Sequence, residues 1–482
     1  MPEFLDTQLL NTISGSRHLP EIWIGGRPAG CPKNRSIYNT KRTIAEPVVT
    51  FGPLGTVPTR GSYGAMTVFR TEPGASESAE TAGAPAVMPD GAGTAVPRRS
   101  ALKGIGVGAA TMVVAGTGVL SYRVFDNGVL DAGSGRPYDA WSHWRDDPGP
   151  LGTVAAAILA ANPHNSQPWF FHVTASRVEM FADPSRRTGT LDSLGREQHI
   201  GLGCAIENLV LAAAARGYRP AVTLLPRPAE PAYVASIALA PGPVNAGALY
   251  DAIGSRHSNR GPYTTAAVPS AAIDSLGAQA AGLDGVGVRW FTTEAQRAAV
   301  GALMIEAAQA ITADGQQSRD AFAWFRNNRD DINAHMDGLT LDGQGLAPLT
   351  LSLAKILPAE SRAAGDKFWV DQTRTVHTKT AAAYGIITVA DASDPVLRLT
   401  GGRLLQRIHL AATATGLGLQ HMNQITERID RERVLGQPAT FGPAFDALIA
   451  QPGRLPLAAF RIGYPARSAR LSPRRPLKDV IR

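Results

Sequence analysis

The sequence predicts a mixed α+β fold built from two related halves. From Tyr138 onward, segments of helical periodicity alternate with short strand-like runs such as residues 177–181 (RVEMF) and 385–390 (GIITVA). A helical pattern in the first half recurs in the second half. Hydrophobic residues make up 44% of the 482-residue chain and charged residues 18%. This composition can bury a sizeable core, and it excludes a wholly disordered chain.

The recurring helical pattern indicates an internal duplication. Residues 203–217 (GCAIENLVLAAAARG) align without a gap with residues 402–416 (GRLLQRIHLAATATG). Within the first copy, Ile206, Leu209, Val210 and Ala213 fall on one helical face, and the closing glycine suits a helix end. A single repeat at so large an offset predicts two related halves, residues 138–248 and 249–482, rather than a solenoid. The alternative is chance similarity between two alanine-rich helices.

The first 87 residues are predicted to lie outside the folded core. They carry no sustained helical or alternating pattern, and Gly, Pro, Ser and Thr interrupt every short apolar piece. Such a composition cannot offset the entropy lost on ordering. Two interpretations remain open, namely a disordered leader and a mis-assigned start, with Met88 as the favoured true start.

Residues 88–125 resemble a twin-arginine export signal. Arg98 and Arg99 precede Lys103 and the Gly/Ala-rich apolar run 105–120. As a helix this run would be about 24 Å long, short of the ~30 Å hydrocarbon core, and extension to Phe125 nearly closes the gap. No clear cleavage site follows, so an uncleaved membrane anchor is the alternative to a cleaved signal. No other segment is expected to span a bilayer. If the pair of arginines is coincidental, the run is a buried helix and the protein is cytoplasmic.

Two short motifs carry the candidate chemistry, one in each half. Residues 163–169 (PHNSQPW) place Asn165, Ser166 and Gln167 in a proline-bounded loop, where the amides can read the mixed donor and acceptor edge of a heterocycle. Residues 256–260 (RHSNR) place Arg256, Ser258 and Arg260 at alternate positions, where they can converge on a phosphate. Taken singly, the first motif suits a capping loop with a buried tryptophan, and the second suits a solvated run of charges.

Together the two motifs resemble the FMN-dependent nitroreductase family. The resemblance implies that Arg256, Ser258 and Arg260 hold the phosphate and ribityl part of FMN, while Asn165 bonds the flavin ring and Ser166 and Gln167 line its pocket. Residues 460–465 (FRIGYP) and 473–476 (PRRP) also look like the family's C-terminal sequence. Arg474 and Arg475 are therefore candidate second phosphate ligands.

The order of the motifs resembles one branch of that family. In ordinary members the arginine motif comes first and two subunits form the flavin sites. Here the order is reversed and each motif occurs once, which is similar to the Acg-type branch with two nitroreductase-like halves fused in one chain. That resemblance implies an intrachain pseudo-dimer, a monomeric protein and one complete set of flavin ligands.

These observations predict an FMN-binding oxidoreductase of the nitroreductase type, with NADH or NADPH as candidate electron donor and an unknown acceptor. The alternative is a protein that sequesters flavin without turnover. Because the flavin carries the redox chemistry, no side chain is assigned as nucleophile or general acid. The net charge of +7 suits anionic ligands without selecting one, and basic–aromatic interleaving typical of nucleic-acid binding is absent.

No metal site is expected. The only cysteines are Cys31 and Cys204, and the latter lies in an apolar helix as a small core residue. His164, His172, His257 and His409 lack the spacing of metal ligands and are expected to be polar loop or packed residues. The expected macromolecular partner is the twin-arginine export machinery, which would place the protein outside the cell, in the periplasm or on a membrane.

Overall fold

The structure is a computed structural model that describes Val124, residues 127–129 and residues 132–482. The predicted leader, the Arg98–Arg99 pair, the apolar run 105–120 and Cys31 lie outside the described residues. The helices are α1 (Ala140–His143), α2 (Gly149–Ala157), α3 (Arg196–Ala215), α4 (Ala248–Asp251), α5 (Ser270–Gly277), α6 (Glu294–Ala313), α7 (Gly315–Ala323), α8 (Arg329–His335), α9 (Pro348–Ile356), α10 (Arg362–Gln372), α11 (Pro395–Ala414), α12 (Gln424–Leu435) and α13 (Phe441–Ile449).

The strands form two main sheets of the same topology. They are β1 (Trp169–Thr174), β2 (Arg177–Ala182), β3 (Tyr218–Leu224), β4 (Tyr233–Pro241), β5 (Val286–Phe291), β6 (Phe325–Arg326), β7 (Leu339–Thr340), β8 (Ala383–Val389), β9 (Gly418–His421) and β10 (Leu455–Gly463). The antiparallel sheets have the orders β1-β2-β4-β3 and β5-β8-β10-β9, and β6 pairs with β7 in a small parallel sheet. The mixed α/β class is therefore confirmed.

Each main sheet is interrupted in sequence by one long helix. In the first half, α3 separates β1 and β2 from β3 and β4, and in the second half α11 separates β5 and β8 from β9 and β10. In each sheet the first strand pairs with the second, the second with the fourth and the fourth with the third, so the second sheet repeats the first strand for strand. The main difference is that β1 and β2 form a tight hairpin, whereas the segment between β5 and β8 holds α6 to α10.

The two long helices cross at a pair of glycines. A Cβ built on Gly203 would collide with the carbonyl oxygen of Leu399 and lie 3.0 Å from the Cα of Gly402, and a Cβ built on Gly402 would lie 2.9 Å from the Cα of Ile200. The contact is reciprocal, because Ile200 and Leu399 precede the two glycines by the same three positions. Only glycine allows backbones to approach so closely.

The ends of both helices match the sequence pattern. Gly217 and Gly416 adopt φ values of 78° and 77°, the left-handed conformation expected just after a helix. Ile206, Leu209 and Ala213 are buried as the predicted face requires, while Val210 is only half-buried. At the other end of α11, the Asp394 carboxylate accepts from the amides of Val396 and Leu397, a common N-terminal cap.

Helix α3 also bears on the expectation about membrane spans. It is long and apolar enough to pass a length and hydropathy criterion for a spanning helix, with a mean hydropathy of 1.2. By length and composition alone, α3 thus meets a criterion that the sequence prediction reserved for residues 105–120. Since 72% of its apolar window is buried inside the protein, its packing is that of a core helix. Cys204 on this helix is buried as expected.

Short parallel pairings at the sheet edges position the candidate motifs. Ser258 pairs with Leu419 beside β9, and the amide of Asn259 donates to the Leu419 carbonyl at 2.9 Å. Ile481 pairs with Phe171 beside β1, so the C-terminal residues of the chain lie on the sheet of the first half. The arginine motif is thereby held by main-chain bonds, and a separate one holds Arg474, whose backbone amide donates to the Pro137 carbonyl at 2.7 Å.

Candidate functional site

Four chain segments meet around the predicted motifs: residues 159–167, 256–261, 336–345 and 472–475. Asn165 Nδ2 donates to the carbonyl oxygens of Gly338 at 3.3 Å and Pro473 at 2.8 Å. Arg256 Nη2 donates to the Leu159 carbonyl at 2.9 Å. One of these segments precedes residue 249 and the other three follow it, so both predicted halves contribute to the site.

The centre of the site is a pair of buried arginines. Arg256 is 2% exposed and Arg474 is 3% exposed. Arg474 Nη2 lies 3.4 Å from the same Leu159 carbonyl oxygen that Arg256 binds. Burial, followed by the positive charge of Arg256, holds the pKa of Arg474 well below its usual range. Burial also lowers the pKa of Arg256 to about 10.

No carboxylate among the described residues compensates the positive charges of this pair. The bonding partners of both guanidinium groups among the described residues are main-chain carbonyls, the amide oxygen of Asn165, the hydroxyl of Ser472 and the imidazole of His409. The Nε atoms of Arg256 and Arg474 are buried without a hydrogen-bond partner. An unpaired buried charge costs several kcal/mol, so this pair is suited to an anion.

Trp141 in α1 supports both arginines. The guanidinium carbons of Arg474 and Arg256 lie 4.8 Å and 5.9 Å from its ring centroid, within range of a cation–π interaction. Its Nε1 donates to the Ser472 carbonyl at 2.7 Å, which ties the ring to the C-terminal segment. Sequence analysis missed this residue. Its only signal was an aromatic side chain close to the start of the first half.

The first motif forms a loop with unusual backbone conformations. His164, Asn165 and Gln167 adopt φ values of 48°, 54° and 50°, in the left-handed region that residues other than glycine rarely enter. The backbone amide of Gln167 donates to Asn162 Oδ1 at 2.8 Å, and Arg186 Nε donates to the Ser166 carbonyl at 2.6 Å. These bonds offset a cost of about 1–3 kcal/mol for each such residue.

The amide side chains of this loop bind the chain itself. Gln167 Nε2 donates to the Met336 carbonyl at 2.9 Å, and Gln167 Oε1 accepts from the Arg475 amide at 2.8 Å. Asn165 Oδ1 accepts from Arg474 Nη1. Asn165 and Gln167, which the family resemblance assigns to the flavin ring, thus bind two other segments of the chain, residues 336–338 and 473–475. We call these the covering segments. Ser166 is buried, and its Oγ has no partner.

The remaining predicted ligands lie around the arginine pair. Arg260 Nη1 donates to the Gly343 carbonyl at 3.2 Å, and burial lowers its pKa to about 10. Ser258 is half-buried at the edge of β9. Arg475 turns away, since its Nη2 donates to the Asp479 carbonyl at 2.6 Å. The structure therefore brings Arg474, and not the Arg475 guanidinium, to Arg256.

A chain of neutral histidines lies behind Arg256. His409 Nε2 donates to the His257 carbonyl at 3.3 Å, so its Nδ1 accepts from Arg256 Nη1 at 3.4 Å and from His421 Nε2 at 3.3 Å. Burial, helped by the charges of Arg256 and Arg260, lowers the pKa of His421 to about 3. Burial also lowers the pKa of His257 to about 3, with Arg256 and Arg474 adding to the effect. These rings add no positive charge at neutral pH.

The histidines of the described part of the chain lie apart from one another or pack against arginines. Among the described residues, no group of three or more His, Cys, Asp or Glu side chains is arranged to hold a metal ion. His164, His257 and His409 are packed near arginines, and His172 lies on β1 with its Nδ1 3.8 Å from the Glu179 carboxylate. Packing among arginines, rather than metal binding, explains the environment of the buried rings.

The arginine pair fits the phosphate end of FMN. A phosphate carries the negative charge that Arg256 and Arg474 lack, and its oxygens can accept from their unpartnered Nε groups. Arg260 lies near Arg256, since the positive charges of both lower the pKa of His421. Asn165 and Gln167 would reach a flavin ring once the covering segments release their amides.

Sequence comparison finds relatives among nitroreductases. The chain is 27% identical over 348 residues to the Mycobacterium tuberculosis protein Rv3131, which is named as an NAD(P)H nitroreductase, covering 68% of this chain and 89% of that protein. It is 35% identical over 88 residues to the M. tuberculosis NAD(P)H nitroreductase acg, covering 18% of this chain and 27% of the other. No family model matches the sequence. These relatives support the nitroreductase resemblance.

Solved structures align with about half of the chain. An FMN-bound nitroreductase from Desulfitobacterium hafniense is 13% identical with a TM-score of 0.30, covering 49% of this chain and 98% of that protein. The NADPH:FMN oxidoreductase from Vibrio harveyi, solved with NAD⁺, is 14% identical with a TM-score of 0.28, covering 49% and 76%.

Proposed function

We propose that this chain binds FMN between its two halves and acts as an NAD(P)H-dependent oxidoreductase of the nitroreductase type. The observation that carries the proposal is the pair Arg256 and Arg474, both buried, both bound to the Leu159 carbonyl and neither paired with a described carboxylate. A protein retains such a pair when a bound anion compensates the charge. The nitroreductase relatives make the phosphate of FMN the best-supported anion.

Each residue has a distinct task in this proposal. Arg256 and Arg474 bind the phosphate oxygens, and Trp141 positions both guanidinium groups from one side. Arg260 adds a third positive charge, and the neutral histidines add none. Asn165 and Gln167 would bind the ring end in place of their bonds to the Gly338, Pro473 and Met336 carbonyls. When bound, FMN supplies the capacity to accept and release electrons.

We also propose that the two halves form an intrachain pseudo-dimer with one flavin site per monomeric chain. The reciprocal crossing of α3 and α11 at Gly203 and Gly402 and the equal strand orders of the two sheets support this arrangement. The proposed ligands also come from both halves, with Asn165 in the first half and Arg256 and Arg474 in the second. A separate half would therefore lack a complete ligand set.

The purified full-length chain tests this proposal directly. We expect bound flavin at about one FMN per chain, the ratio set by one ligand set. Anaerobic addition of NADPH or NADH should then bleach the flavin absorbance, and an added nitroaromatic acceptor should restore it. Bound FMN that neither nicotinamide donor reduces, while dithionite does, would contradict oxidoreductase activity and favour flavin sequestration. Protein that binds no FMN would contradict the whole proposal.

We further propose that residues 88–125 direct export through the twin-arginine route. This route carries folded proteins, which suits a chain that must acquire its flavin in the cytoplasm. The variant with Arg98→Lys and Arg99→Lys keeps the positive charge, so it should leave flavin-loaded protein in the cytoplasm while the parent reaches the membrane or the exterior. Cell fractionation with flavin fluorescence measures the distribution. A parent chain found wholly in the cytoplasm would contradict export and leave the flavin proposal standing.

A further inference from the structure

Helix α9 carries an apolar face that the rest of the described chain leaves exposed. Leu349 is 74% exposed and Leu353 is 46% exposed, and their spacing of four residues places them on adjacent turns of one face. Leu357, directly after the helix, extends this face and is half-exposed. We call these three residues the α9 apolar face. Soluble proteins rarely expose such contiguous apolar surface without a partner.

The opposite side of α9 is the one that attaches to the protein. Leu351 and Lys355 are buried, and Lys355 Nζ forms an ion pair with Asp342 at 2.8 Å. Two positions along a helix turn the side chain by about 200°, so Leu351 points away from Leu349. The outward direction of the leucines is therefore fixed by polar anchoring on the inner side.

The segment that leads back to the N-terminal apolar run is bound to this same helix. Asn127 Nδ2 donates to the Lys355 carbonyl at 2.6 Å, and Lys355 Nζ donates to the Gly128 carbonyl at 3.1 Å. The apolar run ends at Leu120, so it joins Asn127 through seven residue steps. A chain of that length reaches at most about 25 Å. The surface that binds the run therefore lies within about 25 Å of the end of α9.

We propose that the α9 apolar face docks on the surface of a lipid bilayer, beside the point where residues 105–120 enter it. This inference rests on the anchor interpretation of that run and is independent of the flavin assignment. The tether at Asn127 keeps the end of the run within about 25 Å of α9, so a bilayer that holds the run also lies beside this face. A helix with apolar side chains on its outward side and polar anchoring behind lies in the membrane interface with that face buried among the lipids.

Spin labels on the full-length chain test the orientation of α9. Leu349→Cys or Leu353→Cys is labelled in a Cys31→Ser background, while Cys204 stays unlabelled because it is buried and burial raises its pKa to about 12. Val244→Cys is the matched control, since Val244 is 73% exposed and lies before α4 in the first half. The chain is reconstituted into vesicles of phosphatidylethanolamine and phosphatidylglycerol. Collision rates with oxygen and with a water-soluble nickel chelate are measured for each label.

We expect the labels at positions 349 and 353 to collide several-fold more with oxygen and less with nickel than the label at position 244. Nickel accessibility equal to that of the control, in chains that float with the vesicles, would overturn the proposal. Protection from both reagents would also overturn it, because it would show that residues of this chain or a second copy cover the face. Chains that fail to float would refute the anchor and the docking together. Flavin content of the same samples reports separately on the proposed function.

Discussion

Replacing Arg256 and Arg474 together by methionine is expected to weaken FMN binding by about 100-fold or more. Hydrogen bonds to charged groups contribute about 1.5–3 kcal/mol each, and the double variant removes at least one from each arginine. Methionine keeps an unbranched apolar side chain of similar length. Fluorescence titration of the apoprotein with FMN measures the change in Kd.

The same double variant is expected to keep or raise the stability of the apoprotein. Both guanidinium groups are buried, and the charge of Arg256 opposes the charge of Arg474. Removing two buried charges that repel each other is expected to offset the loss of their hydrogen bonds to the Leu159 and Ala160 carbonyls and to Asn165 Oδ1. Urea unfolding without flavin measures this, and loss of flavin binding with retained stability separates a ligand role from misfolding.

A surface arginine provides the control for the flavin experiment. Arg227→Met removes a positive charge from an exposed side chain that pairs with Glu230 at 3.0 Å. This variant should bind FMN as the parent does, because an exposed ion pair contributes little and lies outside the site. If the double variant retained FMN with the parental Kd, the assignment of Arg256 and Arg474 to the phosphate would be wrong.

Replacing Gly402 by alanine is expected to lower the free energy of unfolding by roughly 3 kcal/mol or more, the upper range for overpacking in a core. The added Cβ would meet the Ile200 backbone of the other long helix, with 2.9 Å to its Cα, and a backbone cannot rotate away as a side chain can. The crossing helices would have to separate. Gly203→Ala should have a similar effect, since the contact is reciprocal.

A helical glycine in open space is the matched control. Gly442 lies in α13, and a Cβ built there meets no atom within 4 Å. Alanine at this position should be neutral or stabilising by up to about 1 kcal/mol, because glycine is the weaker helix former. Urea unfolding compares the variants. Where the m-value is unchanged, a shift of the midpoint measures a change in stability. Equal stability of Gly402→Ala and the parent would refute the close crossing of α3 and α11.

The sequence by itself determined the features that depend on local pattern. Helical periodicity and a terminal glycine located the later part of α3 and α11 and their C-terminal ends, because both signals act within a few residues. Both helices begin seven residues before the predicted pattern, at Arg196 and Pro395. Strand-like runs at residues 177–181 and 385–390 became β2 and β8. The PHNSQPW and RHSNR motifs identified the loop and the extended segment that meet in the candidate site.

Only the tertiary structure decided which residues of the site act together. Arg474 rather than the Arg475 guanidinium joins Arg256, and their common partner is the Leu159 carbonyl, more than 90 positions from either arginine. Trp141, His409 and His421 carry no motif, and they enter the site because α1, α11 and β9 pack around it. Periodicity describes one element at a time, whereas such contacts join residues far apart in sequence.

The same distinction explains the two helices whose surroundings the sequence could not assign. The composition of α3 alone is that of a membrane span, and its packing against α11 at Gly203 makes it a core helix. In α9 the leucines alone would suit a core, yet the ion pair of Lys355 with Asp342 turns Leu349 and Leu353 outward. Composition measures how apolar a helix is. Its neighbours in space decide which side is buried, because burial depends on the whole fold.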